Sequence, residues 1–126
     1  MDGFQLADGA LQRWFTPEFR ADETGGGKQR VAALRERLVG TNAAAYAASC
    51  EAVAGIDFRA SNGGIPCPAL VIAGTRDEAT PPAMSEAIRQ SIAGAQLQTL
   101  PAAHLSAVEQ PAAFAGLLAR FFEGLR

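Results

Sequence analysis

The second half of the chain alternates between two hydrophobic periods. A continuous apolar run at residues 69–73 predicts a strand buried on both faces, and weak alternation over residues 95–100 predicts a second strand. Between them, apolar residues at helical spacing from Met84 to Ile92 mark a helix, and Pro111 opens a final amphipathic helix. The order strand, helix, strand, helix predicts an α/β unit with two parallel strands.

The first half of the chain carries helical patterns only. The predicted helices span residues 3–15, 28–39 and 43–53, with a flexible glycine-rich break at residues 23–27. Phe4, Leu11 and Phe15 share one face of the first helix, which Pro17 ends. The third helix is rich in alanine, so it can pack closely against a neighbouring element.

The predicted elements do not make a complete sheet. Parallel sheets are covered on both faces and contain more than two strands, and the outer edge of the first strand would present unpaired backbone groups. The sequence therefore divides into a helical region, residues 1–56, and an α/β region, residues 57–126, and it looks like the end of something larger.

Composition excludes several classes of partner. The 126 residues are 48% hydrophobic and 19% charged, with a formal net charge of −2. This composition does not predict a basic surface for nucleic acid or for an anionic membrane. The longest apolar stretch, residues 68–73, is too short to cross a bilayer. The N-terminus shows no secretory signal pattern, so we expect a cytoplasmic protein.

The two cysteines indicate neither a disulfide framework nor a metal site. Cys50 falls within a helical pattern and Cys67 lies between two prolines, and we expect both to be buried or half-buried free thiols in a reducing compartment. The single histidine cannot complete a common zinc set with them.

One aspartate and the single histidine follow the two predicted strands. Asp77 lies four residues past the first strand, and His104 lies four residues past Leu100. Both loops leave the same carboxyl edge of the sheet, so the two side chains can approach each other. Taken alone, Asp77 could be a simple turn residue and His104 an ordinary loop or core histidine.

The surrounding motifs resemble those of a known family. The segment VIAGTRDEATPP is similar to the acid loop of the α/β-hydrolases, and AAHLSAVEQPAAF is similar to their histidine loop. Within that superfamily the sequence looks most like the 3-oxoadipate enol-lactonases, because RWFTP at residues 13–17 and the stretch from Tyr46 to Ala52 resemble their helical cap.

This resemblance implies a fold, a domain division and a set of roles. It implies the C-terminal portion of an α/β-hydrolase, with residues 1–56 as cap helices and residues 57–126 as the βαβα part of the core. Asp77 would be the acid and His104 the base of a catalytic triad. Trp14 would form a wall of the pocket for a small lactone, although an ordinary packing role is the alternative. No cofactor or metal is implied.

The departures from the family pattern concern the nucleophile. Neither the Gly-x-Ser-x-Gly elbow nor the glycine-rich oxyanion segment is present. The chain contains five serines, none of them in such a turn: Ser49, Ser61, Ser85, Ser91 and Ser106. We therefore expect a fragment of a serine-dependent hydrolase that is inactive alone.

Two alternatives to that function stay open. The chain could be a non-catalytic module that associates as a homo-oligomer or pairs with a missing N-terminal part. It could also derive from another ester or lactone hydrolase of the superfamily. Of the remaining charges, we expect Glu109 to be a helix-entry charge, and Arg76 and Glu78 to be solvated loop residues.

Overall fold

A computed structural model describes residues 3–126, without the side chain of Phe4. Its elements are α1 (Gly3–Trp14), α2 (Pro17–Ala21), α3 (Gly27–Val39), α4 (Ala43–Ala54), β1 (Leu70–Gly74), α5 (Pro82–Ser91), β2 (Gln96–Leu100), α6 (Ser106–Glu109) and α7 (Pro111–Glu123). A 3₁₀ turn at Asn62–Gly64 precedes β1. None of the helices in this part of the chain is long and apolar enough to cross a membrane.

The two strands form the predicted parallel pair. Their register runs from Leu70 opposite Gln96 to Gly74 opposite Leu100. Helix α5 connects them and packs against both, and α7 packs against β2. The α/β fold class and the βαβα order of the second half are therefore confirmed.

The hydrophobic core lies between the sheet and α7, with a second buried group under α1. Leu100, Ala102 and Leu117 form the centre of the first, and Ile72 and Phe114 pack against it. Leu11 and Phe15 are buried as predicted from their shared helical face. The Phe4 side chain, predicted on the same face, lies outside the described residues.

The first half differs from the sequence prediction in two local features. Pro17 does not only follow a helix but also opens α2, because its fixed φ suits the first helical turn and the Thr16 hydroxyl accepts the Phe19 N–H. The glycine-rich segment is an ordered turn, in which Asp22 accepts N–H groups from Thr24 and from two glycines. Helix α3 accordingly begins at Gly27, one residue earlier than predicted.

The burial predictions were wrong where the described chain offers no packing partner. Residues Leu70, Val71 and Ile72 of β1 are half-buried, since only β2 pairs with this strand among the described residues. Cys50 and Cys67 are free but exposed. Cys50 is exposed because α4 packs only marginally against the rest of the described chain. The division into a cap at residues 1–56 and a core at residues 57–126 stays a prediction.

Candidate functional site

The loops after β1 and β2 are held together by a close backbone approach. A Cβ placed on Gly74, the last residue of β1, would collide with the carbonyl oxygens of Ala102 and Ala103. The Thr75 N–H donates to Leu100 O at 2.9 Å and the Arg76 N–H to Ala102 O at 3.0 Å. These contacts extend the strand pairing into the two loops that carry Asp77 and His104.

Asp77 folds its own loop through one carboxylate oxygen. Its Oδ1 accepts the N–H groups of Ala79 at 2.8 Å and of Thr80 at 2.9 Å, which is the side-chain-to-backbone pattern of an Asx turn. The other oxygen, Oδ2, accepts no backbone N–H of the turn and is available to a partner from the second loop.

That partner is His104. Its Nδ1 lies 2.9 Å from Asp77 Oδ2, across 27 residues of sequence. The Asp77 side chain is 9% exposed and that of His104 is 32% exposed. Because an ionised carboxylate only accepts hydrogen bonds, Nδ1 carries the proton and Nε2 of the neutral ring keeps a lone pair. The arrangement is chemically competent to accept a proton at Nε2 while the resulting imidazolium is stabilised at Nδ1.

The environment keeps Asp77 ionised. Burial by itself would raise the pKa of Asp77, but hydrogen bonds from the Thr80 N–H, from His104 and from the Thr80 hydroxyl outweigh it and hold that pKa below its ordinary value. The negative charge next to the imidazole is thus present throughout the neutral range.

Thr80 belongs to this site, and the sequence analysis missed it. Its hydroxyl lies 2.9 Å from Asp77 Oδ2 and 3.2 Å from His104 Nδ1. The signal was present as an Asp followed three residues later by Thr, which is a common way to close an Asx turn.

Trp14, which the sequence analysis proposed as a pocket wall, lies beside the histidine. The indole and imidazole centroids are 6.3 Å apart with the rings tilted by 32°. The Trp14 carbonyl accepts the N–H of Leu105 at 3.1 Å, which fixes the end of α1 against the histidine loop. The structure therefore brings Asp77, His104 and Trp14 together, while their roles in chemistry and substrate contact stay predictions.

Two neighbouring charges have partners that the sequence analysis did not predict. Glu109, predicted as a helix-entry charge, lies just before α7; it is 8% exposed and accepts hydrogen bonds from Thr16 and Ala103. Arg76 is exposed, as predicted, and its guanidinium also pairs with Glu18 at 2.8 Å. That pair was hidden from the sequence analysis because α2, which carries Glu18, was not predicted.

A cavity of about 570 Å³ opens on the far side of Asp77. Arg13, Arg20 and Arg76 line it, and Nε of Arg20 is buried without a hydrogen-bond partner among the described residues. Among those residues no group of three or more histidine, cysteine or acidic side chains could hold a metal ion. Two carboxylates, Asp77 and Glu78, also line the cavity, and Arg76 is paired with Glu18, so Arg13 and Arg20 are the groups that could bind an anion there.

Comparison with known proteins gives several relatives and similar structures. No protein-family model matches the sequence. The chain is 39% identical over 109 residues to 3-oxoadipate enol-lactonase 2 of Acinetobacter baylyi, a match that covers 86% of this chain and 39% of the relative. It is 31% identical over 114 residues to 3-oxoadipate enol-lactonase 1 of the same organism, covering 90% of this chain and 41% of that relative.

The three-dimensional comparison agrees with the sequence matches. The crystal structure of the enol-lactonase from Burkholderia xenovorans LB400 superposes with a TM-score of 0.88 at 37% identity, covering 96% of this chain and 45% of that one. The chain thus spans about two fifths of the length of the curated relatives it matches.

Proposed function

We propose that this chain, which has the fold of the C-terminal portion of an α/β-hydrolase and resembles the 3-oxoadipate enol-lactonases, carries the acid and the base of a serine-dependent enol-lactone hydrolase. The observation that supports this most directly is the 2.9 Å bond between His104 Nδ1 and Asp77 Oδ2 at the ends of two paired parallel strands. The nucleophilic serine would come from polypeptide outside these residues.

The proposed reaction follows from the atoms that the pair leaves available. His104 Nε2 takes the proton of the serine hydroxyl while the serine oxygen bonds to the lactone carbonyl carbon. The ring C–O bond then breaks, and the imidazolium returns the proton to the departing enol oxygen. A water molecule, deprotonated by the same Nε2, attacks the acyl-enzyme, and the serine leaves with that proton. Asp77 stays ionised and keeps Nδ1 protonated throughout.

Two guanidinium groups in the cavity beside Asp77 support a substrate with a free carboxylate. The enol-lactone of 3-oxoadipate has one carboxyl group in the ring ester and a second one free. Arg13 and Arg20 line the cavity, where Asp77 and Glu78 supply the opposing charge. A planar guanidinium matches a carboxylate in both geometry and charge. No cofactor or metal enters the proposed reaction.

The test combines the chain with the part that the relatives have in addition. We expect no enol-lactone hydrolysis from the purified chain alone, and hydrolysis when it is co-expressed with the Gly-x-Ser-x-Gly-containing portion of an enol-lactonase. In that complex His104→Ala should lower the rate by at least about 10³-fold, whereas the exposed Lys28→Ala serves as the unchanged control. Turnover by the chain alone that His104→Ala abolishes, or a folded complex without any turnover, would contradict the proposal.

A second candidate function is a non-catalytic module that associates with a second copy of itself. The observation that favours it is a group of large apolar side chains left exposed: Val53, Ile56, Phe58, Met84 and Ile88. Four of them, all except Val53, line one open groove. Sedimentation of the chain over a range of concentrations tests this candidate, because a persistent monomer would contradict it.

A further inference from the structure

Outside the Asp77–His104 pair, the buried carboxylate of Glu109 accepts hydrogen bonds from two separate segments of the chain. Its carboxylate accepts the Thr16 N–H at 3.3 Å, the Ala103 N–H at 3.1 Å and the Thr16 hydroxyl. Glu109 is 8% exposed, Thr16 is 6% exposed and Ala103 is 3% exposed. The two oxygens thus hold three donors in a place that water barely reaches, where such bonds are stronger and costly to lose.

The two segments that Glu109 joins are the ones that carry the imidazole and the indole. Ala103 directly precedes His104, and Thr16 follows Trp14 by two residues. Glu109 itself lies 93 residues from Thr16 in the sequence, so the link is tertiary. The bond from the Leu105 N–H to the Trp14 carbonyl, at 3.1 Å, runs parallel to it but involves no side chain.

We propose that Glu109 is a positioning residue, whose buried carboxylate sets the placement of Trp14 relative to His104 by tying the end of α1 to the histidine loop. Among the described residues it forms no hydrogen bond with either ring, and it acts through Thr16 and Ala103. This inference rests on the proposed function in one respect. The proposed function gives the reason for the placement, which is to hold Trp14 as a pocket wall beside the base.

The chain contains one tryptophan and one histidine, so an optical signal reports on this placement without ambiguity. A protonated imidazole quenches indole fluorescence at short range, and the two centroids are 6.3 Å apart. We expect Trp14 emission of the complete chain to be lower than that of His104→Gln in the same acidic buffer, and the difference between the two is the quenching amplitude.

Three variants at carboxylates decide the proposal. In Glu109→Ala the quenching amplitude should fall at least about two-fold, because the indole is no longer fixed beside the imidazole. Glu109→Gln should restore most of it, since its amide oxygen accepts both backbone N–H groups and its amide N–H₂ can donate to the Thr16 hydroxyl. Glu123→Ala, which removes an exposed carboxylate from α7, is the matched control and should keep the full amplitude.

A full amplitude in folded Glu109→Ala, or a loss in Glu109→Gln as large as in Glu109→Ala, would overturn the proposal. If Glu109→Ala does not fold by circular dichroism, Thr16→Val and Thr16→Ser decide instead. Valine removes the hydroxyl bond to Glu109 and serine keeps it, so only valine should reduce the amplitude. Equal amplitudes in these two variants would also overturn it. The readout needs no hydrolysis. The proposed role of Glu109 can therefore be wrong while the proposed function stands, and the proposed function can be wrong while the role of Glu109 stands.

Discussion

At the scale of single residues, the two oxygens of the Asp77 carboxylate have separate tasks. Oδ1 closes the Asx turn with the Ala79 and Thr80 N–H groups, and Oδ2 faces His104 and the Thr80 hydroxyl. Since one carboxylate does both, the conformation of the loop and the position of the proposed acid cannot vary independently. Side chains that support the turn therefore support the site.

Thr80 provides the first test of this coupling. Thr80→Val removes a hydroxyl that lies 2.9 Å from Asp77 Oδ2, and a bond to a charged group in a partly exposed loop contributes on the order of 1 kcal/mol. We expect urea denaturation to show Thr80→Val less stable by about that amount and Thr80→Ser within a few tenths of a kcal/mol of the unmodified chain. Equal stability of the valine and serine variants would show that the hydroxyl contributes nothing.

The depressed pKa of Asp77 makes a second prediction, for stability in acid. The unfolded chain holds the Asp77 proton more tightly than the folded chain, so the stabilising contribution is complete above the ordinary value of 3.8 and is lost as the pH falls from there. In Asp77→Asn the free energy of unfolding should therefore decline less steeply between about pH 5 and about pH 2. Urea denaturation at several pH values measures the slope.

The control for the acid experiment is Glu78→Gln, which changes the neighbouring exposed carboxyl. It should reproduce the slope of the unmodified chain, because Glu78 forms no hydrogen bond with His104. If Asp77→Asn and Glu78→Gln have the same slope, the interactions of Asp77 do not favour its ionised form in the folded state.

At the scale of elements, the end of β1 is the point where the two loops are forced together. Gly74 lies against the carbonyl oxygens of Ala102 and Ala103, which are backbone atoms and cannot move aside like a flexible side chain. We expect Gly74→Ala to destabilise the chain by about 2–3 kcal/mol, because the strand end and the histidine loop must separate. Chemical denaturation followed by circular dichroism measures this loss.

Gly116→Ala is the matched control for the strand glycine. Gly116 lies within α7, and a Cβ there would meet only the end of the Arg120 side chain, at 3.4 Å. This variant should be about 0.5–1 kcal/mol more stable than the unmodified chain, because alanine favours the helix. A Gly74→Ala variant as stable as Gly116→Ala would show that the close approach at the end of β1 does not constrain the loops.

The elements show how far periodicity predicts structure and where it fails. The βαβα order followed from apolar spacing alone, because a crossover between parallel strands leaves a local pattern. Helix α2 is only five residues long, too short for any period to be visible. The partners of Glu109 and Arg76 were not predicted because they lie far along the chain, at Thr16 and Glu18. A single sequence offers no signal for such contacts between residues that are distant along the chain.

At the scale of the whole molecule, several large apolar side chains are grouped on the exposed surface. Met84 and Ile88 of α5 were predicted from their helical spacing, yet they are 53% and 45% exposed. Phe58 and Ile56, before β1, are also exposed and line the same groove. Apolar side chains grouped in this way typically mark a surface that another polypeptide covers. The homo-oligomer or pairing with a further segment stays a prediction, and this groove is the surface we propose for it.

That location gives the last prediction. Phe58→Asp combined with Ile88→Lys places two charges in the groove, and burying them against a second polypeptide would be costly. We expect sedimentation velocity to show a larger monomer fraction for this double variant than for the unmodified chain at the same concentration. Phe122→Lys is the control, because Phe122 is 58% exposed on α7 and does not line the groove. If the control dissociates the chain as strongly as the double variant, association uses the α7 surface instead; if the unmodified chain is already monomeric, the groove is not a self-association surface.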